Sequence, residues 1–192
     1  MSEQLEIEFK NMLTKAEYIQ LLDYFQAHES SFFTQTNSYF DTPTWTLKKL
    51  GAGLRIRLLP HSAELTLKTP FQDGLLETTD SLSLHEGQQL IANKTIKLNG
   101  AVAEKLVELG VTPQELNLLG TLTTKRFEKE TKDGLFVLDE SQYEGITDYE
   151  LEFEVKNHAS GKLVFDNFLT TQQLSIRPAK NKIARMIEAR YN

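Results

Sequence analysis

The chain has 192 residues, of which 40% are hydrophobic and 25% are charged, and its formal net charge is −6. This is the composition of a globular protein long enough to bury a core, and the negative balance argues against general nucleic-acid binding. Cysteine is absent, which excludes disulfides, a thiol nucleophile and a cysteine-ligated zinc site. Because the sequence shows neither a signal-peptide pattern nor an apolar run of about 20 residues, we expect a cytoplasmic protein without a membrane partner.

Strict alternation of apolar and polar residues marks several segments as strands with one buried face. In chain order they are Leu5–Lys10, Leu54–Leu58, Glu64–Lys68 and Tyr149–Val155. Two Asp-Gly pairs, at Asp73 and Asp133, are strong hairpin signals. They predict antiparallel pairing of Glu64–Pro70 with Leu75–Leu84 and of Thr124–Thr131 with Leu135–Glu140.

Helices are predicted between and after these strands. Thr14 and Glu17 have the spacing of a capping box, and an apolar stripe from Tyr18 to Phe25 follows. The other predicted helices are Ala101–Leu109, which Gly110 ends, Gly161–Leu174 and Lys180–Arg190. Hairpin strands combined with helices indicate the α+β class with an antiparallel sheet. No repeat or linker divides the chain, so we expect a single domain over residues 1–192.

The charges of the alternating strands carry the functional information. One such strand is ordinarily explained by a core face and a solvated face, but here the charges are segregated by sign. Three carboxylates follow one another on one face at Glu150, Glu152 and Glu154, and they repel one another unless cations lie between them. The same parity collects further charged residues on this face: Glu6, Glu8, Lys10, Arg55, Arg57, Glu64, Lys68, Glu77, Arg126, Glu128 and Asp139.

If the sheet encloses this face, its acids and bases cannot be left unpaired, because a buried unpaired charge costs several kcal/mol. A polyanion bridged to the acids by a divalent metal satisfies both sets. Arginine and lysine bind phosphate oxygens, with arginine suited to bidentate contact. Carboxylates bind Mg²⁺ or Mn²⁺, hard cations that prefer oxygen ligands.

The pattern resembles that of a known family, the CYTH superfamily or triphosphate tunnel metalloenzymes. Glu6-Ile7-Glu8-Phe9-Lys10 is similar to the N-terminal Glu-x-Glu-x-Lys signature of that family. Blocks that resemble the family's follow in order over nearly the whole chain: Tyr39–Thr42, Leu54–Arg57, Leu65–Lys68, Lys125-Arg126, Leu138-Asp139, Glu150–Glu152 and Asn181-Lys182. One departure is Asn181, which stands where serine often precedes the late lysine.

The resemblance implies an eight-stranded antiparallel barrel whose tunnel binds a triphosphate with Mg²⁺ or Mn²⁺. The residues that match metal-site acids are Glu6, Glu8, Asp139, Glu150 and Glu152. Those that match phosphate contacts are Lys10, Arg55, Arg57, Lys68, Arg126 and Lys182. The implied chemistry is hydrolysis of a terminal phosphoanhydride, with Glu6, Glu8 and Lys68 as catalytic candidates and a carboxylate or Lys68 accepting the proton of water.

Several alternatives stay open from the sequence. A class IV adenylyl cyclase would convert ATP to cyclic AMP in the same tunnel, although nothing marks a purine pocket. Thiamine triphosphate is a further substrate candidate, and Trp45 is either a stacking surface for its ring or a packing residue. A polyphosphate- or nucleotide-binding module without catalysis is another class, and a solvated sheet without any site is the last.

Overall fold

The computed structural model describes the backbone of residues 2–191 and the side chains of residues 2–190. Its strands are β1 (Ser2–Leu13), β2 (Phe32–Asp41), β3 (Gly53–Leu58), β4 (Ala63–Phe71), β5 (Gly74–Leu82), β6 (Asn117–Glu130), β7 (Leu135–Tyr143) and β8 (Ile146–Val155). Its helices are α1 (Lys15–Tyr24), α2 (Thr46–Lys49), α3 (Leu84–Ala92), α4 (Ala101–Glu108), α5 (His158–Thr171) and α6 (Lys182–Tyr191). Short 3-10 turns lie at Glu29–Ser31 and Pro113–Glu115.

The strands form a closed barrel in the order β1-β5-β4-β3-β2-β6-β7-β8. The α+β class and the eight-stranded antiparallel barrel with flanking helices are therefore confirmed. The chain divides into two compact units, of which the first comprises residues 2–5, Gln35–Leu122 and Tyr191 and the second comprises Glu6–Thr34 and Thr123–Arg190. One domain over residues 1–192 stays a prediction.

Both Asp-Gly hairpins form as predicted. Phe71 pairs with Gly74 across the β4–β5 turn, and Glu130 pairs with Leu135 across the β6–β7 turn. The pairing continues with strict alternation, so each strand keeps one set of side chains on each face. This parity separates apolar from charged residues in both units.

In the first unit, the apolar side chains of β3 and β4 lie under α3 and α4. Leu54, Ile56, Leu65 and Leu67 are fully buried and belong to one core cluster with residues of α4. Gly87 of α3 lies so close to this sheet that a Cβ atom would come within 2.5 Å of the Ala63 Cβ. The helix covers the apolar face and leaves the opposite face to the charged residues.

In the second unit, α1 and α5 cover the apolar faces of β7 and β8. Phe136 and Phe153 stack with ring centroids 4.3 Å apart, and Phe153 also stacks on Phe165 of α5. Helix α1 begins with the predicted capping box, in which Glu17 N–H donates to Thr14 Oγ1 at 3.2 Å and Thr14 N–H donates to Glu17 Oε2 at 2.7 Å. None of the helices within residues 2–191 combines the length and apolar character needed to cross a membrane.

Candidate active site

The charged face of the second unit brings three acids together without leaving any of them exposed to solvent. Asp139 on β7 pairs with Glu150 on β8, and Glu152 lies two residues further along the same face of β8. Asp139 and Glu150 are 0% exposed and Glu152 is 3% exposed. Oxygens of the three carboxylates lie within 4.8 Å of one another. We call these residues the acidic triad.

Lys182, the first residue of α6, places its ammonium among the triad. Its Nζ lies 2.9 Å from Asp139 Oδ2, 2.6 Å from Glu150 Oε2 and 2.6 Å from Glu152 Oε1. Burial alone would lower the pKa of Lys182, but the three carboxylates raise it well above its ordinary value. The ammonium therefore takes the place that a cation would occupy between these acids.

Two arginines complete the neutralisation of the triad. Arg126 on β6 donates from Nε to Asp139 Oδ1 at 2.8 Å, and its terminal nitrogen donates to Glu152 Oε2 at 2.9 Å. Arg185, one turn beyond Lys182 on α6, donates to Glu150 Oε2 at 3.0 Å and to Asp148 Oδ2 at 2.8 Å. Such charge-assisted bonds offset the desolvation of the buried carboxylates.

The pKa values of Asp139 and Glu152 record this balance. Burial by itself raises the pKa of Asp139, but Arg126 and Lys182 lower it below its ordinary value. The pKa of Glu152 is likewise raised by burial and then lowered well below its ordinary value by Lys182, Lys10 and Arg126. Both acids are therefore anions at neutral pH.

A second acidic group lies on β1 and the end of β8, with a different charge balance. Glu8 pairs directly with Glu154, and Glu6 lies two residues earlier on the same face. Lys10 Nζ lies 2.7 Å from Glu8 Oε1 and 3.4 Å from Glu152 Oε1. Burial, the charge of Glu6 and the charge of Glu152 together raise the pKa of Glu154 from 4.5 to about 7. Negative charge is thus in excess around Glu154.

The first unit presents mainly cations on its charged face. Arg55 and Arg57 on β3 and Lys68 on β4 are largely buried, with side chains 14%, 15% and 18% exposed. Lys68 Nζ lies 2.6 Å from Glu77 Oε1, and the Arg55 guanidinium lies 3.8 Å from the same oxygen. Burial alone would raise the pKa of Glu77, but these two cations lower it below its ordinary value.

The two arginines of β3 differ in their hydrogen bonds. Arg57 Nε donates to Asn37 Oδ1 at 3.0 Å, and its terminal nitrogen lies 3.4 Å from Glu64 Oε1. Arg55 Nε is buried and has no hydrogen-bond partner among the described residues. A buried guanidinium N–H without a partner is costly, so this donor points to an acceptor that a ligand would supply.

The structure brings the predicted site residues together within each unit. The second unit holds Glu6, Glu8, Lys10, Arg126, Asp139, Glu150, Glu152 and Lys182, and the first holds Arg55, Arg57 and Lys68. Glu154 was placed on the charged face by its parity but given no role. Arg185 and Asp148 were missed, although the spacing from Lys182 to Arg185 on a helix indicates a shared face.

Asp41 and Tyr39, from the block Tyr39–Thr42, and Trp45, the candidate stacking residue, all have contacts within the protein. Asp41 is 2% exposed and accepts the backbone N–H groups of Leu47 and Lys48 at 2.9 and 3.0 Å, so it caps α2. Tyr39 is buried in β2 beside Arg55. Trp45 has a left-handed backbone with φ of 59° and lies 5.2 Å beneath the Lys48 ammonium.

The closed antiparallel barrel is the architecture that the resemblance to the CYTH family implied, and comparison with known proteins agrees. Residues 4–187 match the CYTH domain family. The chain belongs to the CYTH family.

Relatives and solved structures extend this result. A Bacillus subtilis (strain 168) protein named "Putative triphosphatase YjbK" is 42% identical over 188 residues, which cover 98% of this chain and 97% of the relative. A Bacillus halodurans structure described as a "putative adenylate cyclase" is 36% identical with a TM-score of 0.91, covering 96% of this chain and 98% of its own. A Hippeastrum protein described as a "putative adenylyl cyclase" with a dominant triphosphatase activity is 21% identical with a TM-score of 0.76, over 97% of this chain and 96% of its own. The last shows the shared fold.

Proposed function

We propose that the protein is a divalent-metal-dependent hydrolase of a triphosphate. The observation that carries the proposal is the packing of buried carboxylates against Lys10, Arg126 and Lys182 on one face of β1, β6, β7 and β8. A solvated sheet face needs neither such burial nor such a balance of charges. The name of the Bacillus subtilis relative supports the same activity.

We choose the proposed metal ligands by comparing the charges that surround the acidic triad with those that surround Glu154. The acidic triad has suitable oxygen spacing, but Lys182 Nζ lies within 2.9 Å of an oxygen of each member. Around Glu154, Lys10 contacts Glu8 at 2.7 Å, but burial and the charges of Glu6 and Glu152 still raise the pKa of Glu154 to about 7. This group therefore has carboxylate charge that a divalent cation would neutralise. We therefore assign Glu6, Glu8 and Glu154 as the ligands of Mg²⁺ or Mn²⁺, both of which take oxygen donors. The triad is assigned to holding Lys182, Arg126 and Lys10.

The phosphate contacts are assigned to the basic residues. Lys10, Arg126 and Lys182 carry donors in the second unit, and Arg55 and Arg57 carry guanidinium groups suited to phosphate oxygens in the first. The orphaned Arg55 Nε supports this assignment. Because Lys68 Nζ lies 2.6 Å from Glu77 Oε1, we assign Lys68 a phosphate contact. We assign the role of accepting the proton of water to the carboxylates.

The chemistry is an in-line displacement at the terminal phosphorus. A water oxygen forms the new P–O bond, the bridging P–O bond breaks, and the leaving diphosphate keeps the bond's electrons. A bound divalent metal supplies charge neutralisation and orientation to such a reaction. The chain's own cations neutralise the oxygens on which charge develops, and its carboxylates orient the water and accept its proton. The tunnel stays a prediction from the family resemblance.

Two rival functions are separable by product. A cyclase would release cyclic AMP and diphosphate from ATP, and the description of the Bacillus halodurans relative is the observation in its favour. A binding module would be stabilised by triphosphate without turning it over. Tripolyphosphate, thiamine triphosphate and ATP should therefore be offered with Mg²⁺ or Mn²⁺ and scored for both orthophosphate and cyclic AMP.

The decisive experiment measures orthophosphate release from tripolyphosphate. We expect turnover that EDTA abolishes and added metal restores, and a loss of about 100-fold or more in kcat/KM for Glu8→Gln and for Arg57→Ala. Glu104→Gln and Lys132→Ala change exposed residues outside both charged clusters and should retain full activity. Activity that survives Glu8→Gln or Arg57→Ala in a folded protein contradicts the site.

A further inference from the structure

One buried amide fastens the segment between α5 and α6 to β1. Asn11 is 1% exposed and lies on the helix-covered face of β1, opposite to Lys10. Its Nδ2 donates to Ser175 O and to Met12 O, both at 3.0 Å. Its Oδ1 accepts the N–H of Arg177 at 2.6 Å. The Asn11 side chain thus both donates to and accepts from a segment that is distant in sequence, 164 positions away at Ser175 and 166 at Arg177.

Two further contacts hold the same segment. Met12 N–H donates to Arg177 O at 2.8 Å, and Pro178 forms an isolated antiparallel bridge with Asn11. The Arg177 guanidinium donates to both Glu17 oxygens, at 3.0 and 2.7 Å. These bonds give the segment a fixed register on β1, although it belongs to no strand of the barrel.

The anchored segment leads directly into the candidate site. Helix α6 begins at Lys182, four positions after Pro178, and Asn181 Oδ1 accepts the N–H of Ala184 at 3.0 Å in its first turn. So short a connection transmits the register of Pro178 to the start of the helix. The Lys182 ammonium then reaches the acidic triad, where its distances of 2.6 to 2.9 Å leave little tolerance.

We propose that Asn11 is a positioning residue that holds Lys182 for triphosphate binding, an inference that rests on the proposed function. Only an asparagine-like amide meets the geometry, because Asn11 must donate to two carbonyls and accept from one N–H. Alanine removes every one of these bonds. Aspartate keeps the acceptor but turns an oxygen toward the two carbonyls, which leaves them unsatisfied.

The test is a double-mutant cycle on kcat/KM for tripolyphosphate. Asn11→Ala should lower kcat/KM by about 10- to 100-fold, because a misplacement on the order of 1 Å has effects of this size. Added to Lys182→Ala, the same change should lower it by less than about twofold further, since the group that Asn11 positions is already gone. Asn11→Asp should behave like Asn11→Ala. Independent, additive effects in the cycle overturn the inference.

A matched control separates positioning from general destabilisation. Ser83→Ala removes the capping hydroxyl of α3, which accepts the N–H of Glu86 at 3.1 Å, and it should lower the melting temperature yet leave kcat/KM unchanged at a temperature where the protein is folded. Should Asn11→Ala fold poorly, Arg177→Ala loosens the segment through its side chain and should show a smaller effect of the same kind. Full activity of a folded Arg177→Ala protein, with unchanged exchange in α6, would count against the anchor.

A second readout does not depend on catalysis. Hydrogen–deuterium exchange of the amides of α6 should become faster in Asn11→Ala than in the wild-type protein and in Ser83→Ala. Unchanged exchange in α6 overturns the inference even if triphosphate is hydrolysed. A wild-type protein without triphosphate turnover would instead contradict the proposed function, while the exchange comparison would still decide whether Asn11 holds α6.

Discussion

At the scale of single residues, Glu154 is the acid whose surroundings explain it least without a ligand. Its folded-state pKa of about 7 lies above the ordinary 4.5 because burial and the charges of Glu6 and Glu152 oppose its ionisation. The folded protein therefore retains a proton between these two pH values that the unfolded chain releases. Stability must fall as pH rises through this window and must stay lower above it.

This sign predicts the behaviour of Glu154→Gln. Without metal, the variant should be more stable than the wild-type protein at pH 8, on the order of 2 kcal/mol after allowance for solvent screening, and the difference should vanish toward pH 4.5. Mn²⁺ should reverse the order, because it binds the wild-type carboxylate group and stabilises only that folded state. Urea unfolding at the two pH values, with and without Mn²⁺, measures both effects. Equal metal stabilisation of the two proteins would contradict the assignment of Glu154 as a ligand.

Lys182 gives a second residue-scale prediction. Lys182→Met leaves the triad without its ammonium, and breaking such a buried pair costs about 3–5 kcal/mol. The pKa values of Asp139 and Glu152 then rise, so the deficit relative to the wild-type protein should shrink as the pH falls from neutrality toward the ordinary carboxylate range. Lys180→Met removes an exposed pair with Glu188, at 2.7 Å, and should cost less than about 1 kcal/mol. Similar urea midpoints for the two variants would mean that Lys182 does not neutralise the triad.

The predictions for single residues rest on strand parity, and the limits of parity also explain which residues they missed. Alternation alone places Glu6, Glu8 and Lys10 on one face, because a strand has a period of two. It says nothing of which acid is neutralised by which base, so it did not separate the triad from the group around Glu154. Asn11 was not singled out because it lies on the apolar face, where a single polar residue carries no pattern.

At the scale of elements, helix α3 shows where local signals fail. The hairpin signal predicts a strand from Leu75 to Leu84, whereas Leu84 is the first residue of α3 in the structure. A glycine in the middle of Leu84–Ala92 also lowers helix propensity by about 1 kcal/mol. In the structure, Gly87 is buried against Ala63 and Leu58, and the lack of a side chain lets α3 approach the sheet. The glycine is explained by tertiary packing, which a local pattern does not contain.

Gly87→Ala should therefore destabilise the protein even though alanine is the better helix former. The new methyl group would lie 2.5 Å from the Ala63 Cβ and 2.9 Å from a methyl of Leu58, and overpacking of this kind costs about 1–3 kcal/mol. Gln89→Ala, at an exposed position of the same helix, isolates the propensity gain and should be neutral or slightly stabilising. Thermal unfolding of the three proteins checks the order. A Gly87→Ala protein at least as stable as Gln89→Ala would refute close packing as the reason for the glycine.

The β7–β8 hairpin was missed for a related reason. Its turn, Glu144-Gly145, has φ of 46° and 76°, so both residues are left-handed as a type I′ turn requires. Asparagine or aspartate usually precedes glycine in such turns, and both predicted hairpins have Asp-Gly. Glu144 is held there instead by the Arg190 guanidinium, which donates to its carboxylate at 3.0 Å. A contact from the far end of the chain thus replaces the local preference.

At the scale of the whole molecule, the order of the charged blocks was more informative than any one of them. Each strand by itself fits an ordinary solvated face, whereas their succession resembles one family and implied the barrel that the structure has. The closed strand order itself was not derivable from periodicity, because alternation does not state which strands are neighbours. Neither the periodicity nor the order of the charged blocks identifies the substrate, since the described cations fit any triphosphate chain.

Ligand-induced stabilisation tests the molecule as a whole. A ligand present at about 100 times its Kd stabilises the folded state by about 2.7 kcal/mol, which corresponds to roughly 5–10 °C for a chain of this length. We expect tripolyphosphate with Mn²⁺ to raise the melting temperature by this amount, and diphosphate to do less because it offers fewer oxygens to the cations. Arg57→Ala and Arg126→Ala should each lower the increment, whereas Lys132→Ala should keep it. Because a solvated sheet offers these anions no enclosed group of donors, equal melting temperatures with and without tripolyphosphate would favour that interpretation over any triphosphate site.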